Sequence, residues 1–191
     1  MSSRSPRLFG LGRGKVFPAA DARSLINPLR RLVQSSRRTV DALRLDSDWA
    51  VVEIGCGPGF FSPDLAASVP RGRLVLLDLQ ADMFQLARER LAGFTNVGYV
   101  AGDAQALPLG DARFDAAFLA TMLGEVPDRA ACLDEVHRIL RPGGVMGIAE
   151  TRRDSDFIGL AALRALVESR GFTFRSRWGI PWQYVACFTR G

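Results

Sequence analysis

Residues 50–59 read Ala-Val-Val-Glu-Ile-Gly-Cys-Gly-Pro-Gly, and the fold of the chain can be inferred outward from them. The first five residues form an apolar run that is typical of a strand buried on both faces. Gly55, Gly57 and Gly59 follow at once, and a helical stretch begins near residue 60. Glycine lets the backbone turn tightly and approach a ligand, and the helix behind the loop presents unpaired N–H groups. The pattern predicts a strand, a ligand-binding loop and a helix.

The chain after this loop continues to alternate short apolar runs with helical stretches. Strands are predicted at 50–54, 73–78, 97–100, 114–119, 144–150, 172–178 and 182–189, and helices at about 60–69, 82–92, 129–140 and 158–170. This alternation predicts a parallel sheet covered on both sides. Only Gly179, Ile180 and Pro181 join the last two strands, and so short a link requires an antiparallel pair. We therefore expect an α/β fold: a doubly wound, Rossmann-like, mostly parallel seven-stranded sheet with an antiparallel C-terminal strand, in three α/β/α layers.

The composition of the 191-residue chain is that of a globular protein, with 48% hydrophobic and 24% charged residues. No apolar run is long enough to cross a bilayer, and the first residues lack the apolar region of a secretory signal. The three cysteines form no CxxC pair, which argues against a disulfide framework or a zinc site. We therefore expect no metal and a cytoplasmic location.

The net charge of +5 is concentrated near the N-terminus, where residues 1–44 hold ten basic and two acidic residues. Glycines and prolines in residues 1–20 predict a flexible basic arm. Residues 21–191 are predicted to form a single domain, with a lid made by an amphipathic helix over residues 21–45. A solvated arm is the plainest interpretation of the charge. Contact with nucleic acid or an anionic membrane surface, or a transit peptide, are the alternatives.

Glu53 and Phe60 indicate which ligand the glycine loop takes. A dinucleotide site needs glycine or alanine at position 60, and a pyrophosphate beside Glu53 would be repelled, whereas an ammonium group would be attracted. Asp78 ends the second strand at roughly the spacing, ~20 residues, expected of a ribose-binding acid. Its alternative role is to cap the helix that begins near Asp82.

Asp103 and Ala104 follow the third strand, at the same predicted sheet edge. The Asp103 carboxylate suits the exocyclic amine of an adenine, although an aspartate after a glycine also forms turns. Apolar walls for the adenine are available from Leu79, Met83 and Leu107.

Five segments resemble a known family. They are VVEIGCGPGFFS (51–62), LLDLQADMFQLARERL (76–91), AGDAQALPL (101–109), FDAAFLATMLGEVPD (114–128) and LRPGGVMGIAE (140–150). Their order and spacing resemble the class I S-adenosylmethionine-dependent methyltransferases, above all the type 11 group that includes the ubiquinone and menaquinone methyltransferases. The resemblance covers about residues 25–190, and five motifs in register are far more specific than one.

The resemblance implies S-adenosylmethionine as cofactor and S-adenosylhomocysteine as its product. It implies a methyltransferase domain in which the cofactor is held by a set of loop residues. Glu53, Gly55, Gly57 and Gly59 would hold the methionine part, with Cys56 as a small residue of the same loop. Asp78 would hold the ribose, Asp103 and Ala104 the adenine with Leu79 as one of its apolar walls, and Thr121 and Met122 would lie beside the amino-acid end and the methyl group.

No catalytic residue is assigned from the sequence. Glu125 is interpreted as a packing residue at a helix start, with a general base as the alternative, and Gly124 stands where related sequences often carry histidine. His137 is interpreted as a surface residue. Trp178 and Trp182 suit an aromatic acceptor, although they would equally cap the core.

We expect a methyltransferase that acts on a small, hydrophobic or aromatic molecule, with no nucleic acid as partner. The alternatives are an RNA- or protein-directed methyltransferase that docks through its basic N-terminal segment, or a non-catalytic binding module of the same fold. Peripheral contact with a membrane stays open, and the sequence does not give the oligomeric state.

Overall fold

The computed structural model describes residues 35–191, so the predicted arm and most of the predicted lid helix lie outside the described residues. The first described helix, α1, spans Ser36–Asp41. The Ser35 side chain accepts a hydrogen bond from the Arg38 N–H at 3.3 Å and so caps this helix. A positive φ of 54° at Arg44 lies beyond its end. The prediction of one helix over 21–45 is therefore wrong in its described part.

Seven strands and four further helices follow α1. They are β1 (Ala50–Ile54), α2 (Ser62–Ser68), β2 (Arg73–Asp78), α3 (Met83–Arg90), β3 (Val97–Ala101), β4 (Phe114–Ala120), α4 (Arg129–Ile139), β5 (Leu140–Thr151), α5 (Leu160–Glu168), β6 (Phe172–Ile180) and β7 (Gln183–Arg190). Every strand and helix predicted within this part of the chain is present. The largest difference is at β5, which begins four residues earlier than predicted, directly after α4.

The strands form one sheet in the order β3-β2-β1-β4-β5-β7-β6. Strands β1 to β5 are parallel, whereas β7 runs antiparallel to both of its neighbours, β5 and β6. The order reverses at β1, which pairs with β2 on one side and with β4 on the other. This confirms the predicted doubly wound sheet with a reversed C-terminal strand, and β1 marks the switch point at which such sheets bind ligands.

Helices cover both faces of the sheet, because the central strands are apolar on both sides. Helices α1, α2 and α3 pack on one face, against strand residues such as Val51, Leu76 and Phe118. Helices α4 and α5 pack on the other face, against residues such as Val52 and Leu119. The result is the predicted three-layer α/β/α arrangement.

The carboxyl ends of β1 to β5 meet at one edge of the sheet. The β6–β7 turn reaches the same edge, since Thr151 at the end of β5 pairs with Gln183 at the start of β7. The loops after β1, β2, β3, β4 and β5 and this turn therefore surround one surface. Within residues 35–191 we find no helix with the length and apolarity needed to cross a membrane.

Candidate functional site

The loop after β1 adopts a conformation that only glycine takes readily. Gly55, Gly57 and Gly59 have φ angles of 68°, 51° and 78°. The N–H groups of Gly55 and Cys56 both donate to the Leu77 carbonyl, at 2.8 and 3.1 Å, which fastens the loop to the end of β2. The first segment of the predicted site is thus held in place by the neighbouring strand.

Met122 packs directly against this loop. A Cβ built on Gly55 would lie 2.9 Å from Met122 Cγ, whereas a Cβ on Gly57 would meet nothing within 4 Å. Gly55 therefore allows close approach of the chain after β4, and Gly57 borders open space. The structure brings together the loop and Met122, as the sequence predicts, and leaves room for a ligand beside Gly57.

Asp78 connects the glycine loop to the end of β2. Its Oδ2 accepts a hydrogen bond from the Gly57 N–H at 2.8 Å, and its Oδ1 accepts one from the Gln80 N–H at 2.9 Å. Burial raises the pKa of this carboxyl, although both of these N–H groups act to lower it. Because Asp82 occupies the N-cap position of α3, the capping role considered for Asp78 is not the one observed.

Glu53 lies inside the protein, directly before the loop. It is only 2% exposed, and Ser62 Oγ at the start of α2 donates to its Oε2 at 2.5 Å. Burial raises the pKa of Glu53 to about 8, the Ser62 hydrogen bond lowers it, and the charge of Asp78 raises it further. This carboxyl therefore ties β1 to α2 beneath the loop.

Cys56 is a buried residue of the same loop, with 5% of its surface exposed. Its thiol contacts the Gly57 carbonyl oxygen at 3.5 Å, and burial raises its pKa. Cys56 therefore contributes to the loop through the hydrogen bond of its backbone N–H, and its thiol is not activated.

The loop after β3 contains Asp103 and Ala104 as predicted. Asp103 Oδ1 accepts from the Gln105 N–H at 2.8 Å, so this aspartate forms a turn and stays exposed. Gln105 Oε1 in turn accepts from the Asp128 N–H at 3.0 Å, which connects this loop to the start of α4. Ala104 packs against the core, while Leu79 after β2 is 56% exposed.

Thr121 begins the loop after β4 with a φ of 51°. A β-branched residue rarely adopts this left-handed conformation, and such strain concentrates at functional sites. Its N–H donates to the Ala149 carbonyl of β5 at 2.9 Å, which holds the residue in place. Thr121 and Met122 therefore lie at the sheet edge in a strained turn. No pattern in the sequence predicts the strained conformation of Thr121.

Three carboxyl groups after β4 and β5 come together at this edge. Glu125, Asp154 and Asp156 each offer an oxygen, and these oxygens lie within 4.8 Å of one another. Burial raises the pKa of Glu125 to about 8, and the charges of Asp154 and Asp156 add to the effect. The sequence predicts no metal site and a packing role for Glu125. It misses this cluster because the acids come from two loops that are far apart in the chain.

Gly124 is a glycine because the loop after β5 passes against it. A Cβ at this position would lie 2.2 Å from the Asp156 carbonyl oxygen. The Arg129 guanidinium Nη2 donates to the Gly124 carbonyl oxygen at 2.8 Å and so connects the start of α4 to this loop. The histidine that related sequences often carry at this place is excluded here by backbone packing.

The aromatic residues near the β6–β7 turn divide into two kinds. Trp178 and Trp182 are 43% and 55% exposed, and the Trp182 carbonyl accepts from the Arg152 N–H at 2.8 Å. Tyr184 is buried, and its hydroxyl donates to the Ile158 carbonyl at 2.5 Å, so it belongs to the core. His137, predicted on the surface, is half-buried and packs edge-on against Phe172.

The fold and the glycine loop together define a doubly wound α/β protein with a candidate ligand-binding edge at the topological switch point. Residues 51–144 match a family model described as a methyltransferase domain. A solved S-adenosylmethionine-dependent methyltransferase from Aquifex aeolicus has the same fold, with a TM-score of 0.82, 19% identity, and coverage of 91% of this chain and 98% of that chain.

Curated relatives extend the comparison. A demethylmenaquinone methyltransferase of Listeria welshimeri is 29% identical over 140 residues, which are 72% of this chain and 59% of that protein. A 37.1 kDa protein in a transposon of Streptomyces fradiae is 36% identical over 130 residues, which are 66% of this chain and 38% of that protein. This chain thus spans between about two fifths and three fifths of these two relatives.

The chain belongs to the class I S-adenosylmethionine-dependent methyltransferases, in the group that includes the ubiquinone and menaquinone methyltransferases. The resemblance seen in the sequence is thereby confirmed, and S-adenosylmethionine is the cofactor of the family.

Proposed function

We propose that this protein transfers a methyl group from S-adenosylmethionine to a small, hydrophobic or aromatic acceptor. The observation that carries the proposal is the Asp78 carboxylate, which is held by the Gly57 and Gln80 N–H groups at the rim of the glycine loop. Two oxygens fixed in this way would accept hydrogen bonds from the two ribose hydroxyls of a nucleoside.

The residues around Asp78 fit the remaining parts of the cofactor. The open space at Gly57 suits the methionine part. A positive charge bound there would lower the pKa of the buried Glu53 carboxyl and favour its ionised form. The exposed Leu79 offers an apolar surface for the adenine, with Asp103 and Ala104 at the end of the next strand. In this arrangement Gly55, Cys56 and Gly59 shape the loop.

The reaction requires mainly positioning. The cofactor would supply a methyl group on a sulfonium, and the neutral thioether that this sulfonium releases is a good leaving group. Thr121 and Met122, on the fixed chain after β4, lie against the loop and would orient the methyl group towards the acceptor. Holding the reacting atoms about 3–3.5 Å apart and in line is worth roughly 7–11 kcal/mol. A general base is needed only for an acceptor that arrives protonated.

The acceptor class is supported by the exposed tryptophans and by the relatives. Trp178 and Trp182 lie on the turn that reaches the site edge, where they offer aromatic surface. The name of the Listeria relatives points to demethylmenaquinone, a hydrophobic molecule, as their acceptor.

We also propose the cytoplasm as the location of the protein, since all three cysteines are free thiols.

Calorimetric titration with S-adenosylhomocysteine, with NAD in parallel, tests this function. We expect binding of S-adenosylhomocysteine alone. Asp78→Ala should weaken it at least ~10-fold, because charge-assisted hydrogen bonds contribute roughly 1.5–3 kcal/mol. Asp82→Ala is the matched control, since Asp82 is exposed and makes no capping hydrogen bond. Binding of neither ligand, or equal binding by both variants, would contradict the proposal.

An acceptor screen then separates the alternatives. Methylation of a quinol or another small aromatic molecule should persist after deletion of residues 1–20. Activity on RNA or protein that disappears with the deletion would favour the macromolecular acceptor instead.

A further inference from the structure

The β6–β7 turn carries an apolar surface that faces solvent. Among residues 35–191, four large apolar side chains are exposed, and three of them, Trp178, Ile180 and Trp182, lie within residues 178–182. Their exposed fractions are 43%, 47% and 55%. A single exposed apolar side chain is ordinary on a protein surface, whereas a group of neighbouring ones marks an interaction site. This apolar turn, residues 178–182, is therefore a candidate docking surface.

The backbone holds the apolar turn in a fixed shape. Trp178 and Ile180 lie on the same face of β6, because they are two residues apart in a paired strand. Gly179 between them has a φ of 102°, and a Cβ there would lie 2.5 Å from the Gln183 carbonyl oxygen. The hairpin is thus closed too tightly for a side chain at position 179, and Trp182 follows at its tip. Little conformational entropy is left to lose when this surface binds a partner.

Exposed arginines lie on both sides of the apolar turn. On the β6 side, Arg177 Nη2 donates to the Gly179 carbonyl oxygen at 2.8 Å, which places this guanidinium beside the turn. On the β5 side, the Arg152 N–H donates to the Trp182 carbonyl oxygen at 2.8 Å, and the exposed Arg153 follows. In the part of the chain that the structure describes, none of these three arginines forms an ion pair. Their charges are therefore available to an external anion.

The acids of the neighbouring loop lie deeper than these arginines. Glu150 and Asp154 are only 2% and 7% exposed. Asp156 is half-buried, and its backbone packs against Gly124. Burial raises the pKa of Glu150 to about 8, which favours its neutral form at neutral pH. The exposed charge beside the apolar turn is thus mainly positive.

This combination of side chains complements the two layers of an anionic lipid bilayer. Tryptophan rings favour the boundary between headgroups and acyl chains, because one end of the ring is apolar and the other carries an N–H. Guanidinium groups form paired hydrogen bonds with phosphate, and their aliphatic stems tolerate an apolar surface. Apolar side chains at the tip of a turn, with arginines behind them, match acyl chains that lie below a layer of phosphates.

We propose that the apolar turn inserts into the headgroup region of an anionic phospholipid bilayer, with Arg152, Arg153 and Arg177 on the lipid phosphates. The turn reaches the edge of the sheet that carries the candidate site, so docking would place this edge at the membrane surface. An acceptor dissolved in the bilayer could then enter the site directly, and this consequence alone rests on the proposed function. Binding to the bilayer itself is independent of methyl transfer.

Co-sedimentation of the full chain with vesicles tests the proposal. We expect binding to vesicles of phosphatidylcholine and phosphatidylglycerol that salt weakens, and much weaker binding to phosphatidylcholine alone. The double variant Trp178→Ala/Trp182→Ala should bind the anionic vesicles at least ~10-fold more weakly, because it loses two large apolar side chains. Arg152→Gln/Arg153→Gln should lose at least ~5-fold. Arg71→Gln is the matched control, since Arg71 is an exposed arginine without an ion pair at the opposite edge of the sheet.

Fluorescence shows which part of the chain enters the lipid. The chain holds three tryptophans, and Trp49 precedes β1 at the opposite edge of the sheet. In Trp49→Phe, we expect the emission to shift to shorter wavelength on anionic vesicles and to be quenched by brominated lipids. In Trp178→Phe/Trp182→Phe, which keeps only Trp49, neither change should occur.

A Tm of Trp178→Ala/Trp182→Ala close to that of the wild type would show that this variant is folded. Calorimetry with S-adenosylhomocysteine is scored separately, so failure of membrane docking is distinguishable from failure of the proposed function. The proposal would be overturned by a full chain that does not bind anionic vesicles, or by binding that the double tryptophan variant retains in full. Vesicle binding that depends on residues 1–20 and not on the apolar turn would also overturn it. So would self-association through Trp178 and Trp182 without vesicle binding, because the turn would then be an interface between copies of the chain.

Discussion

The loops after β1 and β2 and the loops after β4 and β5 form the two halves of the site, and they are built by different means. In the first half, hydrogen bonds between neighbouring segments satisfy the polar groups, as Asp78 does for Gly57. In the second half, acids from loops distant in sequence lie close together. The first half is held by its own hydrogen bonds, whereas the charges of Asp154 and Asp156 in the second half raise the pKa of Glu125.

The two halves are also supported differently. The glycine loop is tied to β2 by two N–H groups that share the Leu77 carbonyl. The loops after β4 and β5 are held by the close contact of Gly124 with the Asp156 backbone and by the strained Thr121. Substitutions in the two halves should therefore affect different ligands.

The largest effect is expected from Gly55→Ala. Alanine at a positive φ costs about 1–2 kcal/mol, and its Cβ would press on Met122, which adds about 1–3 kcal/mol. We expect the affinity for S-adenosylhomocysteine, measured by calorimetry, to fall about 100-fold. Gly57→Ala carries the same backbone cost without a clash inside the protein, so its free energy of unfolding should fall less than that of Gly55→Ala, by about 1–2 kcal/mol. Equal losses of stability in both variants would show that contact with Met122 does not shape the loop.

A smaller and more selective effect is expected from Gly124→Ala. Its Cβ would lie 2.2 Å from the Asp156 carbonyl, so the loop after β5 must shift, at a cost of about 1–3 kcal/mol. Methyl transfer should fall at least ~10-fold while the affinity for S-adenosylhomocysteine changes by less than ~2-fold. Gly93→Ala, where a Cβ meets nothing within 4 Å, serves as the control. A parallel loss of cofactor binding would show that the halves are not separable.

A separate prediction concerns Glu53 and the pH dependence of stability. Burial raises its pKa in the folded state to about 8, above the value of 4.5 in the unfolded chain. The folded state therefore keeps a proton that the unfolded state loses. The resulting stabilisation is full below pH 4.5 and is lost as the pH rises towards 8, at up to about 1.4 kcal/mol per pH unit.

Urea unfolding at several pH values between 5 and 9 measures this contribution. Glu53→Gln keeps the neutral form and a hydrogen-bond partner for Ser62, so its free energy of unfolding should decline less steeply over this range than that of the wild type. The difference between the two proteins isolates Glu53 from other acids that titrate nearby. Identical slopes would show that Glu53 stays ionised in the folded protein.

The sequence predicts the fold and the position of the glycine loop well, because both depend on local patterns. The runs at 50–54 and 73–78 match β1 and β2 residue for residue, and the short link after β6 correctly indicates an antiparallel β7. The spacing of the glycines and an acid at a strand end are patterns that can be recognised within a few residues. The roles proposed for individual cofactor residues, such as Asp103 for the adenine, stay predictions.

The contacts of the loops after β4 and β5 could not be predicted, because these loops are distant in the chain. Asp156 excludes a side chain at Gly124, and Glu125 gathers with Asp154 and Asp156, only once the sheet has brought β4 beside β5. His137 was placed on the surface from its position in a predicted helix, whereas it is half-buried and packs against Phe172. The helix predicted over 21–45 does not run through Ser35, because the hydroxyl of Ser35 caps a helix that begins at Ser36.

The central position of β1 has a consequence for the rate at which the protein folds. Its partners β2 and β4 are far apart in the chain, and the Ala50 N–H donates to the Asp115 side chain at 2.8 Å across a separation of 65 residues. Contacts of such high order must close long stretches of chain before they contribute free energy, which slows folding. The strand that carries the glycine loop therefore reaches its place through slow, long-range contacts, and a truncation that removes β4 should leave β1 with β2 as its only neighbour among the described strands.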